Sequence, residues 1–340
     1  MLTSVEKIWA AFDHVEGPVP WLEIAIDEAI MLRSLGKPVP EAQAASSQQI
    51  DISWTEKVAF ARAAGIDALG IYHWETFGTL RDESQPVLDR VPLIHTRADL
   101  ARLEIPTFTP EELAPQVRAA RAAIGDSGLA LYCEFAFCLD YAIADMGFEG
   151  LCLSLYDDPG LVEEVLARYA AYTANLIEIY CQMPEIDFIW VGDDLAYKAG
   201  PFISPAALRR HVFPFFRDLA CRITKPWIFH SDGNILPVIE DILALGPVAI
   251  HPIEPGAMDI YAFKREYGQR VALIGNLSVD QLARATPAEI TAEVERLLAA
   301  CAPGGGYGFS SGNALSRFIR VQNLLAASET LRRYNRRWME

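Results

Sequence analysis

The sequence predicts an α/β fold, a single (β/α)8 TIM barrel with an N-terminal extension, and three observations carry the prediction. Four consecutive short apolar runs in the last third each stop at polar residues: Pro226–Phe229 at His230-Ser231-Asp232-Gly233-Asn234, Val248–Ile250 at His251, Val271–Ile274 at Gly275-Asn276, and Tyr307–Phe309 at Ser310-Ser311-Gly312-Asn313. Amphipathic stretches of helical length separate them. A parallel β/α barrel presents its catalytic face in this way, with strands ending in polar residues at one rim. The chain's 340 residues suit one such barrel, with 1–50 as the extension and 51–340 as the barrel.

The elements follow in order along the chain. A short helix over 4–13 with Ser4 as its cap precedes a Pro-rich stretch and the apolar run Trp21–Ile26. A helix over about 27–35 ends at Gly36, a loop covers Lys37 to Gln49, and a helix over 54–64 stops at Gly65. A strand over about 66–72 meets His73, Trp74 and Glu75. The segment 76–108 lacks periodicity and reads as a long loop able to cover the barrel mouth. Thr109-Pro110 starts a helix to about 124, followed by a strand over 129–133 that ends at Glu134. Residues 135–150 read as partly helical, and Asp157-Asp158-Pro159 opens a long helix to about 182. A strand over 188–191 ends at Gly192-Asp193-Asp194, and Ser204-Pro205 caps a helix to about 224 before the four closing units. These are seven strands; Trp21–Ile26 is the candidate for the eighth.

Bulk properties narrow the function. A net charge of −16 argues against nucleic acid and anionic membrane surfaces, which require basic patches. The six cysteines form no CxxC or other tight pair, so neither a zinc knuckle nor a disulfide framework is expected. The N-terminus lacks a signal-peptide pattern and no apolar run reaches membrane-spanning length, so a cytoplasmic protein is expected.

In a barrel the strand-end residues converge: His73, Glu75, Glu134, Asp193, Asp194, His230, Asp232, Asn234, His251, Glu254, Asn276 and Asn313. Adjacent residues on a strand point opposite ways, so Glu134 and Cys133 cannot both face inward, nor can Asp193 and Asp194. Carboxylates with imidazoles admit three chemistries: binding a divalent metal, general acid–base work, or hydrogen-bonding a polar substrate. Local structure competes as an explanation at several positions. His251 before Pro252 fits a core histidine, Asp194 fits a helix cap, and Asp232-Gly233-Asn234 fits a turn. Gly304-Gly305-Gly306 precedes a strand and does not open a helix, so it does not fit a phosphate cradle. His230 is hardest to explain structurally, because a strand-end imidazole beside Asp232 is costly to bury without a partner.

The order of motifs resembles the uroporphyrinogen decarboxylase superfamily: Gly192-Asp193-Asp194, Phe202-Ile203-Ser204-Pro205, His230-Ser231-Asp232-Gly233-Asn234, Ile274-Gly275-Asn276, then Gly304-Gly305-Gly306-Tyr307 and Ser310-Ser311-Gly312-Asn313. The resemblance runs from about residue 50 onward and implies a (β/α)8 barrel with its pocket at the C-terminal face. True decarboxylases of this superfamily carry an Arg-rich N-terminal segment that grips substrate carboxylates. Here that region has Glu23, Asp27, Glu28 and only Arg33, and Gly312-Asn313 stands where they have Gly-His. The thiol-accepting methyltransferases bind zinc through His-x-Cys and a later Cys, where this chain has His230, Asp232 and Asn313. What remains resembles the branch that takes a methyl group from a small methylated, methoxylated substrate and passes it to a corrinoid protein. The resemblance implies zinc as the candidate metal on His230, Glu254 and Asp232. It implies acid–base work by Asp193, Glu134 and His230. Substrate contacts fall to His73, Asp194, Asp232, Asn234, Asn276, Asn313 and Tyr307, with Trp74 and Tyr307 shaping an aromatic pocket. No Asp-x-His-x-x-Gly signature occurs, so the cobalamin is expected on a partner protein. The alternatives are a decarboxylase of tetrapyrrole metabolism and a non-catalytic small-molecule-binding barrel. Homodimers are common in the superfamily.

Overall fold

The computed structural model describes residues 2–40, 50–73 and 92–338. Its centre is a curled parallel sheet of β1 (Ala68–His73), β2 (Ala130–Phe135), β3 (Phe188–Gly192), β6 (Trp227–His230), β7 (Ala249–His251), β8 (Ala272–Ile274) and β9 (Tyr307–Gly308), in that spatial order. A two-stranded antiparallel hairpin, β4 (Ala196–Tyr197) with β5 (Gly200–Pro201), follows β3. The seven expected strands are thus present. β2 and β3 are buried at every position, as a parallel sheet covered on both faces requires.

Successive residues divide between two apolar clusters. One holds Ala68, Ala130, Tyr132, Phe188, Trp190, Ile228, Ala249, Ala272 and Ile274, joined by Leu22 and Ile24. The other holds Leu69, Ile71, Leu131, Cys133, Ile189, Val191, Phe229 and Leu273 with the surrounding helices. The period of two is what a strand dictates: one row faces the concave interior and the other faces the helix layer. Gly70 belongs to the inner row because a Cβ there would stand 2.5 Å from Cζ of Tyr132.

The Trp21–Ile26 run does not form a strand of its own, yet it bonds to both edges of the sheet. Trp21 bridges Phe309 beyond β9, and Ile26 bridges Leu315. On the other side the Asp67 N–H donates to the Trp21 carbonyl at 2.8 Å, and the Trp21 N–H donates to Oδ2 of Asp67 at 2.8 Å. The helix Ser4–Phe12 caps the N-terminal end of the interior, with Ile8 and Phe12 in the inner cluster. Its N-cap is Thr3, not the expected Ser4, because Thr3 and Glu6 form a reciprocal capping box.

The segment expected as a loop from 76 to 108 contains a helix, Arg97–Arg102, which a Thr96–Asp99 capping box starts. Residues 74–91, including Trp74 and Glu75, lie outside the described residues. The helix expected from Ser204-Pro205 to 224 is interrupted by a π-turn over Leu208–Val212 and ends at Ala220. All six cysteines are free. Among the described residues no helix is long and apolar enough to cross a membrane.

Candidate active site

Because the seven strands are parallel, their C-terminal ends share one rim. At that rim β6 sets His230 in register with Gly192 of β3 and His251 of β7. These positions lie two residues beyond Trp190, Ile228 and Ala249, so both imidazoles belong to the inner row. The rings overlap obliquely, with centroids 4.9 Å apart, and their Nδ1 atoms are 2.7 Å apart. Trp190 packs edge-on against His251 at 5.0 Å.

On its other side His230 presents Nε2 to Oδ1 of Asp194 at 3.7 Å and to Oδ1 of Asp232 at 3.9 Å. Ligand atoms of these three residues lie within 4.8 Å of one another. The turn after β6 holds the group together. Asp194 accepts the Asp232 N–H at 2.7 Å, Glu254 accepts the Gly233 N–H at 2.7 Å, and Asn313 donates to Oδ2 of Asp232. Only glycine fits at 233: φ is +81°, and a Cβ would stand 2.4 Å from the Ala196 carbonyl carbon.

The electrostatics of the group are those of acids without a counter-charge. Burial, then Asp194 and Glu254, push the Asp232 carboxyl up to about 8, against the Asn313 hydrogen bond. Asp140 is raised well above its ordinary value by burial and then by Asp193 and Asp194. Burial lowers His230, with Asp194 opposing, and holds His251 well below its ordinary value with His230 adding to the effect. Among the described residues no lysine or arginine ion-pairs with Asp194, Asp232 or Glu254. Oδ1 of Asp232 is buried and has no hydrogen-bond partner. An unpartnered carboxylate oxygen beside an imidazole nitrogen and a second carboxylate is a donor set that suits a borderline divalent cation such as zinc.

The other expected residues fall elsewhere. Asp193 is fully buried and faces the helix layer. Its carboxylate accepts the N–H groups of Cys138 (2.7 Å), Leu139 (3.0 Å) and Asp140 (2.8 Å) at the start of the helix Leu139–Met146. Burial pushes it up to about 7 while those three donors pull it down. Glu134 lies in the inner row, in register with Tyr72 and Trp190. His73 belongs to the outward row, where Nε2 meets the Tyr180 hydroxyl at 2.5 Å, and burial lowers it to about 4. Asn234 serves its own turn by accepting the Leu236 N–H at 3.2 Å. Asn276 donates to the Ile253 carbonyl at 2.5 Å, and Tyr307, in the outer cluster, donates to the Gly275 carbonyl at 2.5 Å. The structure therefore brings Asp194, His230, Asp232, Glu254 and Asn313 together, with Glu134 on the same inner face.

Sequence reasoning passed over Glu23. It is 1% exposed and accepts from Trp21 Nε1 (2.6 Å), the Ser311 N–H (3.0 Å), the Ser311 hydroxyl (2.6 Å) and the Ser310 hydroxyl (3.4 Å). Burial pushes it up to about 7, with those donors opposing. Ser310 also meets Nε2 of His251 at 3.2 Å. A lone carboxylate inside the apolar run Trp21–Ile26 is the signal that could have found it.

A cleft of about 720 Å³ opens at the opposite rim, lined by Lys7, Arg62, Asp67, Arg332 and Arg336 among others. Its lining holds no histidine, and its Lys7–Asp67 and Arg332 contacts hold the helix ends.

Comparison with known proteins bears on the family and the fold. A profile of the family Uroporphyrinogen decarboxylase (URO-D) matches residues 78–334. The uroporphyrinogen decarboxylase of Pseudomonas aeruginosa is 30% identical over 166 residues, covering 48% of this chain and 45% of the relative. The chain thus spans less than half the length of that relative. The uroporphyrinogen decarboxylase of Neisseria meningitidis is 24% identical over 261 residues, 71% of this chain and 69% of the relative. Among solved structures, a methyltransferase from Methanosarcina mazei superposes with a TM-score of 0.71 at 17% identity, over 98% of this chain and 99% of that one. At that identity the likeness speaks to the fold.

Proposed function

The chain belongs to the uroporphyrinogen decarboxylase family, and from that premise we propose that it is a methyltransferase moving a methyl group from a small methoxylated substrate to a corrinoid carried by a second protein. One observation carries the reading: His230 Nε2, Asp194 and Asp232 form a compact O,N donor set with an orphaned carboxylate oxygen and, among the described residues, no lysine or arginine ion-paired to it. A tetrapyrrole with many carboxylates needs cations. In the N-terminal segment, Arg33 donates to the Arg317 carbonyl, and Arg317 pairs with Asp27 at 2.8 Å.

His230, Asp194 and Asp232, with Glu254 beside them, would hold the metal. A divalent cation bound there supplies Lewis acidity toward the leaving oxygen of an ether. The protein's own groups do the rest. The inner wall of Trp190 and His251 excludes water from one side of the donor set. Asn313 orients Asp232, and the amides of Asp232 and Gly233 fix Asp194 and Glu254. In the transfer, the methyl C–O bond breaks, carbon bonds to the partner's cobalt(I), and the released oxygen takes a proton. Glu134, in the inner row, is the chain's candidate for general acid in that step.

In this reading the enzyme is a single domain, cytoplasmic, and the run Trp21–Ile26 closes the barrel as its eighth position. On one side Phe309 donates to the Pro20 carbonyl and accepts from the Leu22 N–H, and on the other Asp67 donates to the Trp21 carbonyl; these bonds support closure. Incubation with cob(I)alamin and a panel of methoxylated aromatics should give methylcobalamin; no transfer from any donor would contradict the reading. The family's name favours a second reading, decarboxylation of a porphyrinogen, for which incubation with uroporphyrinogen and product analysis is the test. Failure of both assays would leave a binding barrel.

A further inference from the structure

We infer that Glu23, acting through Ser310 and His251, is a positioning residue that holds His230 in the neutral tautomer with its proton on Nδ1 and a bare Nε2 facing Asp194 and Asp232. The inference deepens the metal-site reading above and rests on it for its consequence, although not for its geometry.

The two Nδ1 atoms at 2.7 Å share one proton between neutral rings. If that proton sits on His230, its Nε2 carries a lone pair. If it sits on His251, His230 must carry its own proton on Nε2 and cannot ligate a metal through that atom. The far side of His251 decides between these. Its Nε2 faces the Ser310 hydroxyl at 3.2 Å. The Ser310 hydroxyl points to Oε2 of Glu23 at 3.4 Å. Above its raised value of about 7, Glu23 is ionised and only accepts, and its Oε1 already accepts from two groups that only donate, the Trp21 indole and the Ser311 amide. Direction therefore runs one way along the chain. Ser310 donates to Glu23 and accepts from Nε2 of His251; His251 Nδ1 accepts from Nδ1 of His230; Nε2 of His230 is left bare. A carboxylate that fixes a ligand histidine directly is a common arrangement. Here the carboxylate acts three hydrogen bonds away, from the N-terminal run.

The test is side-chain ¹⁵N NMR of the metal-free protein, which reads imidazole tautomers directly, with His230 assigned by its loss in His230→Ala. Co²⁺ titration of the same samples provides a second readout. Glu23→Gln can both donate and accept, so it releases the direction of the chain. Ser310→Ala cuts the chain while leaving Glu23 its bonds to Trp21 and Ser311, which guards against a folding defect. The inference predicts His230 with its proton on Nδ1 in the wild type and a shift toward Nε2–H in both variants. It also predicts Co²⁺ binding weakened about tenfold to a hundredfold. A wild-type His230 protonated on Nε2, or a tautomer unmoved by both variants, would overturn it. A wild type that shows the expected tautomer and its loss in the variants, but binds no Co²⁺, would uphold the positioning role and remove the metal reading instead.

Discussion

His230 and His251 stand on neighbouring parallel strands with their Nδ1 atoms 2.7 Å apart, so the proton between them orients the nitrogen that faces the acidic cluster. Around that pair the inner row of the sheet changes from apolar filling to ligand chemistry within two residues, from Ile228 to His230 and from Ala249 to His251.

The acidity of Asp232 predicts how stability varies with pH in the metal-free protein. Its ordinary value of 3.8 becomes about 8 in the folded state. Between those values the folded protein holds a proton that the unfolded chain releases, so stability falls as pH rises. The penalty is absent below the lower value and complete above the upper one. Thermal melts of metal-free protein should show this decline, and Asp232→Asn should make it shallower, leaving the share of Glu23, Asp193 and Asp140, and raise the melting temperature near pH 8.5 by on the order of a few degrees. Saturating zinc should flatten the wild-type slope too, because a bound cation stabilises the ionised carboxylate.

Asp193→Asn separates a scaffold role from a chemical one. The substitution replaces one acceptor oxygen with a donor group facing amides that can only donate. Unfolding by denaturant should show a loss of roughly 1–3 kcal/mol. Metal stoichiometry should be unchanged, since Asp193 faces the helix layer.

Gly70→Ala tests the packing of the interior. The added methyl would meet the Tyr132 ring at 2.5 Å. That ring cannot move freely, because its hydroxyl donates to the Glu23 carbonyl at 2.6 Å and its face stacks on Phe188. A loss of about 1–3 kcal/mol in chemical denaturation is expected.

Much of this site is legible in the sequence because a parallel sheet exports its strand ends to one rim. Apolar runs that stop at His230, His251 and Asn276 mark that rim without any three-dimensional information. Period-two reasoning also shows that only one of Asp193 and Asp194 can face inward, but not which. That choice depends on the helix at Leu139, whose free amides claim Asp193. His73 illustrates the same limit: it ends β1, yet its parity sends it outward to Tyr180. Glu23 is only half legible for a different reason: its place in an apolar run marks it, but its partners do not. Its partners Ser310 and Ser311 lie almost the whole chain away, and only closure of the N-terminal run against β9 brings them together. The helix at Arg97–Arg102 carries its own signal, the Thr96–Asp99 box, which the charged, Pro-rich surroundings obscure.

The most direct test of the account is metal binding by the purified protein. Stripped of metal and titrated with zinc, the wild type should take up one equivalent. His230→Ala should lose that uptake, and Asp232→Asn should bind at least tenfold more weakly. A wild type that binds no divalent metal, or a His230→Ala variant that binds it as tightly as the wild type, would contradict the account.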